Sequence, residues 1–192
     1  LRYFDEISIN IKSSSDSSMF IINEITKIKM KSLQKIGINL YIEGTEIKDN
    51  EYSNQSMINN IFIANTVVKI GEGAFRRCSS LKEISIPQSV KSIGKSAFTG
   101  CTLLDKILIF SDITSIEEST FSECSSLEMI IIPSTVEYIG EFAFSDCKGL
   151  KIIEIPQSVK SIGSYAFSGC TSLSLFSIDP MNVDIQNTIF DE

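Results

Sequence analysis

Five cysteines, Cys78, Cys101, Cys124, Cys147 and Cys170, stand at equal intervals of 23 residues (101 − 78 = 23). Phe75, Phe98, Phe121, Phe144 and Phe167 precede them by three positions, and Leu81, Leu104, Leu127, Leu150 and Leu173 follow them by three. Self-similarity at a fixed period of roughly 20–29 residues predicts a stack of similar coils. No coil in such a stack can bury its own apolar face, so stability comes from neighbours. The stack presents a surface rather than a catalytic pocket, which points to binding and leaves the ligand open.

One unit reads Leu81-x-x-Ile84-x-Ile86-Pro87-x-x-Val90-x-x-Ile93-Gly94-x-x-Ala97-Phe98-x-x-Cys101. The alternation of Ile84 and Ile86 puts both on one face of a short strand. Stacked coils place these strands side by side at roughly 4.8 Å. The expectation is one continuous parallel sheet, with strands centred near Ile61–Ile63, Ile84–Ile86, Ile107–Ile109, Ile130–Ile132, Ile153–Ile155 and Phe176–Ile178. Pro87, Pro133 and Pro156 end the strand hydrogen bonding. Val-x-x-Ile-Gly reads as a second extended stretch or turn. Ala-Phe-x-x-Cys is too short for a full helix and suits a helical or 3₁₀ turn.

About ten positions recur per unit, and Ile58, Ile61, Ile63, Val67, Ile70, Gly71, Ala74 and Phe75 extend the pattern upstream without a gap. Downstream, a shortened unit keeps Leu173, Phe176, Ile178, Ile185 and Phe190. This pattern closely resembles the BspA-type leucine-rich repeat, a family of surface proteins in bacteria and some protists. The resemblance covers residues 58–192 strongly. It implies a right-handed leucine-rich repeat solenoid of short parallel β-strands, turns and short 3₁₀ or helical segments. It also implies roles in adhesion and in host or partner binding. It weakens over 35–57, where Ile38, Leu40, Ile47 and Tyr52 keep register but Gln55 holds the cysteine position. Residues 1–34 do not fit the period.

Residues 1–57 therefore read as degenerate N-terminal repeats or a cap, with a separate subdomain as the alternative, and 58–192 as the repeat array. Ile7, Ile9 and Ile11 alternate as a strand would. The run Ser13–Ser18 reads as a polar loop or linker, and Phe20, Ile22, Ile25 and Ile28 are apolar again. Terminal coils are atypical because one face meets water. The chain begins at Leu1 and stops at Glu192 inside the repeat pattern, as a fragment or processed form would.

The formal net charge is −7, and residues 58–192 carry 10 Lys and Arg against 16 Asp and Glu, or −6 of it. An acidic array with no basic stripe argues against nucleic acid or an anionic membrane as partner. The simplest reading of the acidity is solubility. No run approaches the ~20 apolar residues that span a bilayer. Histidine is absent, which removes Ser–His and Cys–His nucleophilic arrangements and the commonest metal ligand. There is no glycine-rich phosphate loop and no C-x-x-C pair. Glu117 and Glu118 are adjacent carboxylates that read as a solvated turn rather than an acid–base pair. No cofactor is expected.

The cysteine column reads as buried, reduced thiols capping backbone carbonyls at a turn. Bridges between adjacent coils are the alternative, since a separation of roughly 5 Å falls within disulfide range. Identical repeat positions give parallel Cβ vectors, however, and an odd count leaves one thiol over. The spacing does not converge on a point as zinc ligands must. Asn54-Gln55-Ser56 is a glycosylation acceptor triplet, relevant only if the chain is secreted.

Between inward isoleucines, outward strand positions should alternate. In outer units they are polar, as at Glu83, Ser85 and Ser177. In middle units they are Leu108 and Phe110, then Met129 and Ile131, then Ile152, with Leu175 continuing the line and Phe62 alone at the other end. They would join into one exposed apolar patch on the concave sheet, rimmed by Lys106 and Glu154. Such patches are uncommon on soluble proteins unless something binds there; the competing explanations are strand propensity and cover by a neighbouring molecule. The expected function is a non-enzymatic interaction module, an adhesin-like surface or secreted ectodomain with a protein or glycan ligand. The alternative is an intracellular, cytoplasmic scaffold or regulatory protein.

Overall fold

Each 23-residue unit carries one short apolar alternation and one isolated apolar residue, followed by glycine in most units, and each becomes a strand. The computed structural model describes residues 7–13, 36–178, 183–185 and 189–190. The longer strands are β1 (Ile7–Ser13), β2 (Ile36–Ile42), β4 (Ile58–Ile63), β6 (Glu83–Ile86), β8 (Lys106–Ile109), β10 (Met129–Ile131), β12 (Ile152–Glu154) and β14 (Leu175–Ser177). Between them lie two-residue strands: β3 (Glu46–Ile47), β5 (Lys69–Ile70), β7 (Ser92–Ile93), β9 (Ser115–Ile116), β11 (Tyr138–Ile139), β13 (Ser161–Ile162) and β15 (Asp184–Ile185). Every pairing is parallel, so the chain is a parallel β-solenoid with two ladders. The polar run after Ser13 and the apolar residues Phe20, Ile22, Ile25 and Ile28 lie outside the described residues.

Inward positions form the core. Ile84, Ile107, Ile130 and Ile153 are all at most 4 % exposed, and Val90, Val136 and Val159 are fully buried beside them. On the third side the phenylalanines make a stack from Tyr52 through Phe75, Phe98, Phe121 and Phe144 to Phe167, with ring centroids 5.4–5.7 Å apart. Backbone bonds tie this corner from coil to coil: the amides of Phe75, Phe98, Phe121 and Phe144 donate to the carbonyls of Ala97, Thr120, Ala143 and Ala166 at 2.8–2.9 Å.

The thiols finish the corner. The Phe75 carbonyl accepts from the Cys78 amide at 3.1 Å and from the Cys101 thiol of the next coil at 3.2 Å. The arrangement repeats at Phe98, Phe121 and Phe144, whose carbonyls accept the thiols of Cys124, Cys147 and Cys170 at 3.1–3.3 Å. All five cysteines are free; four are buried, and Cys170 at the end of the column is half-buried. Burial pushes the Cys78 thiol up to about 12 and Cys170 up to about 11, and holds Cys101, Cys124 and Cys147 well above their ordinary 9.0.

Three expectations need correcting. The Ala-Phe-x-x-Cys segment is a chain of turns, not a helical or 3₁₀ segment. Two positions in each coil, four residues apart, sit in the left-handed region: Ser96 (φ 54°) and Gly100 (φ 73°) in one coil, Ser119 (φ 55°) and Glu123 (φ 60°) in the next. A right-handed helix cannot continue through them. Second, the register of residues 35–57 is not uniform. Ile47 pairs with Ile70 at 23 residues, but Leu40 pairs with Ile61 at 21 (61 − 40), with an irregularity between Ile38 and Asn39. A slip of two preserves the inward face, so Leu40 remains fully buried.

Third, the long ladder is not continuous. It divides into β1-β2-β4-β6-β8 and β10-β12-β14, and the short ladder into β3-β5-β7 and β9-β11-β13-β15. Both divisions border the coil 104–126, whose sequence departs from its neighbours at two places that bear on the ladders. Phe110 stands where other coils have Pro87, Pro133 or Pro156, each of which accepts from an amide three residues on and closes a corner. No such bond closes Phe110–Ile113. Glu117 stands in the column of Gly94 and Gly140, where an added Cβ would come within 2.5–2.6 Å of the preceding coil's backbone. A side chain there forces the coils apart.

Truncating Phe121→Ala in the middle of the aromatic column should destabilise by roughly 3–5 kcal/mol, read from a shifted urea midpoint; an unchanged midpoint would mean an exposed ring. A second outcome concerns pH. The unfolded chain releases thiol protons near the ordinary value, while the folded thiols hold theirs to higher pH. Stability present below pH 9 is therefore lost as pH rises toward 11–12, by about 1.4 kcal/mol per pH unit for each buried thiol. Urea midpoints at pH 7.5 and pH 10 check this.

Candidate functional site on the strand face

Alternation along the long strands sends every second residue outward. The pairing builds two outward rows. One runs Asn39, Asn60, Glu83, Lys106 across the first sheet and Met129, Ile152, Leu175 across the second. The other runs Tyr41, Phe62, Ser85, Leu108 and then Ile131, Glu154, Ser177. The inward neighbours Ile107, Ile130 and Ile153 are buried, so the two faces are cleanly separated.

All nine residues expected to form the patch lie on this face. Ile131 is 70 % exposed, Phe110 61 %, Met129 55 %, and Phe62 and Leu175 48 % each. Ile152, Lys106 and Glu154 are also exposed, whereas Leu108 is half-buried between its neighbours. Three shallow grooves connect them. The first, about 630 Å³, brings Phe62, Lys106, Leu108 and Phe110 together with Glu83 and Gln88. The second, about 760 Å³, lies over the division between β8 and β10 and is lined by Lys106, Leu108, Met129 and Ile131. The third, about 450 Å³, joins Met129 and Ile131 to Ile152 and Glu154. Leu175 adjoins Ile152 through the β12–β14 pairing.

Phe62 does not stand alone, as the sequence suggested. Tyr41 stacks on it with ring centroids 4.7 Å apart, and Asn60 donates to Asn39 at 2.8 Å beside them. The signal was a spacing of 21 rather than 23 residues (62 − 41), hidden by counting at the strict period.

The electrostatics are mild. Lys151 pairs with Glu128 at 2.7 Å at the edge of the central groove, both well exposed, so the pair contributes little. Glu117 and Glu118 lie elsewhere: Glu117 accepts from the Ser115 hydroxyl at 2.6 Å, and Glu118 pairs with Lys95 at 2.9 Å. They make surface contacts in a turn. Among the described residues no cluster of three or more metal-ligating side chains occurs, and no helix is long and apolar enough to cross a membrane.

Residues 45–174 match the BspA type leucine-rich repeat region in six copies. The chain is similar to a leucine-rich repeat protein of Bacteroides ovatus, with 27 % identity and a TM-score of 0.66; 94 % of this chain is covered but only 44 % of that one. It is similar to the T. pallidum leucine-rich repeat protein, with 26 % identity, a TM-score of 0.55, and 78 % and 73 % of the two chains covered. A leucine-rich cell surface protein of Faecalibacterium prausnitzii shows 28 % identity, a TM-score of 0.52, and 90 % and 47 % coverage. No curated protein matches significantly.

The two faces of one strand should respond oppositely to substitution. Ile130→Ala removes buried methyl groups and should cost roughly 2–5 kcal/mol. Ile131→Asp, one residue on, should cost less than about 1 kcal/mol. Comparable losses in chemical denaturation would show that Ile131 is also core.

Proposed function

The chain belongs to the BspA-type leucine-rich repeat family, and we propose that it is a non-enzymatic, adhesin-like module displayed at the cell surface or secreted, binding a protein partner through its strand face. The observation that carries this reading is the connected strip of apolar side chains on the strand face, exposed at Phe110, Met129, Ile131, Ile152 and Leu175 and half-buried at Leu108. These residues lie outside the buried core, which fills the opposite side of the same strands, and exposed apolar patches are uncommon unless something binds there. Flanking Lys106 and Glu154 supply a polar edge, as interfaces with an apolar centre have. The surface location draws on the likeness to the Faecalibacterium prausnitzii protein, which is described as a cell surface protein. The chain spans less than half the length of the Bacteroides ovatus protein it matches.

Leu108→Asp/Ile131→Asp should abolish retention of partner proteins from surface-biotinylated or secreted fractions, with an unchanged circular dichroism spectrum. A double variant that binds as the parent does excludes this face. Intact cells producing the protein should be labelled by an antibody against the array; labelling only after permeabilisation would favour an intracellular scaffold.

A further inference from the structure

The coil 104–126 is bonded to its neighbours on alternate sides. At the long strand, β8 pairs back to β6 but not forward to β10. At the short strand, β9 pairs forward to β11 but not back to β7. The amide columns show the same step. Lys91, Glu137 and Lys160 each donate to the coil before them, to Val68, Thr114 and Glu137, at 2.7–2.8 Å. Gly94, Gly140 and Gly163 donate likewise to Ile70, Ile116 and Ile139 at 2.8 Å. In the odd coil the matching amides, Thr114 and Glu117, make no such bond. On the long-strand side, Asp105 and Lys151 donate to the preceding coil at 3.0 and 2.9 Å, while Glu128 does not.

The aromatic corner, by contrast, is unbroken across the same coil. Phe98, Phe121 and Phe144 stack at 5.5–5.6 Å. The Phe98 and Phe121 amides and the Cys124 and Cys147 thiols all reach across to the adjoining coil. Two laddered blocks, ending at Ile109 and beginning at Ser115, thus pack through a shared core but exchange backbone hydrogen bonds along one corner only among the described residues. The segment between them, Phe110–Thr114, lacks the closed turn found elsewhere.

We propose that this coil is a hinge: the two blocks rotate against each other about the Phe–Cys corner, with Phe110–Thr114 as the flexing link. The cause lies in the sequence. Glu117 replaces the glycine that close approach requires, and Phe110 starts a corner that does not close. Bending is then concentrated here instead of being spread along the array, because each other interface from β2 to β15 would have to break ladder bonds on both sides. Rotation opens and closes the central groove over β8 and β10, where Leu108, Met129 and Ile131 stand. The hinge stands whether or not that groove binds a protein.

Amide hydrogen exchange on the intact chain tests it. Thr114, Glu117 and Glu128 should exchange roughly tenfold or more faster than their counterparts Glu137, Gly140 and Lys151, as sites of local opening do. Glu117→Gly should slow Thr114 toward the rate of Glu137 by letting the coils close, and Glu117→Ala should not, since its Cβ remains. Equal rates in the two sets of amides would overturn the hinge. So would Glu117→Ala slowing Thr114 as much as Glu117→Gly, because the Cβ would then not be what holds the coils apart.

Discussion

The buried carbonyl of each corner phenylalanine sets the terms for the rest of the molecule. It has two lone pairs and is buried. From Phe75 to Phe144, one is met by the amide three residues on in its own coil, the other by the thiol of the next coil. The second bond exists only if the next coil brings a small donor to that spot, so the geometry of the corner dictates the 23-residue spacing of the cysteines. Each net bond is worth only about 1 kcal/mol, but an unsatisfied carbonyl in this dry setting costs more than the bond returns. Cysteine suits the place because it packs as a small hydrophobe while carrying one weak donor. The stacked rings then fill the space that the turns enclose.

Leucine-rich arrays of this kind separate stability from recognition by face. The inward isoleucines answer to packing against the same column in adjacent coils, and their identity is nearly fixed. The outward positions carry no such demand. That freedom explains how Glu83, Lys106, Met129, Ile152 and Leu175 can occupy one row with unrelated chemistry. Three consecutive apolar residues at one end of that row are thus not a requirement of the fold. Strand propensity favours Ile152, but it gives no reason for Met129 or Leu175.

Much of this was legible in the sequence, and the rest failed for specific reasons. The strands, the phenylalanine column and the thiol ladder follow from which residues recur. The left-handed turn residues do not, because Ser96, Ser119 and Phe142 give no compositional sign of a positive φ that glycine occupies in only one coil of that column, at Gly73. Tyr41 escaped because a deletion of two in the corner after β2 moves it into the Phe62 row while leaving the apolar alternation intact. The outward strip was readable from period-two alternation alone. Its division into three grooves was not, since that depends on where the ladders part.

That parting shows how a repeat array can be locally weakened without being interrupted. Phe110 and Glu117 look like ordinary variation: one is apolar, the other sits on a polar turn, and the 23-residue count is kept. Their effects are geometric rather than compositional. A glycine whose missing Cβ leaves 2.5–2.6 Å to the neighbouring backbone is a spacer of fixed thickness, and any side chain there adds to it. The added thickness is tolerated because the Phe–Cys corner, on another side of the coil, bears the continuity. A solenoid with only ladders would divide at such a residue; one with an independent corner column bends. Leu108 and Ile131, on either side of the division, consequently belong to different blocks, and their separation is set by the one side chain at Glu117 and the open corner after Phe110.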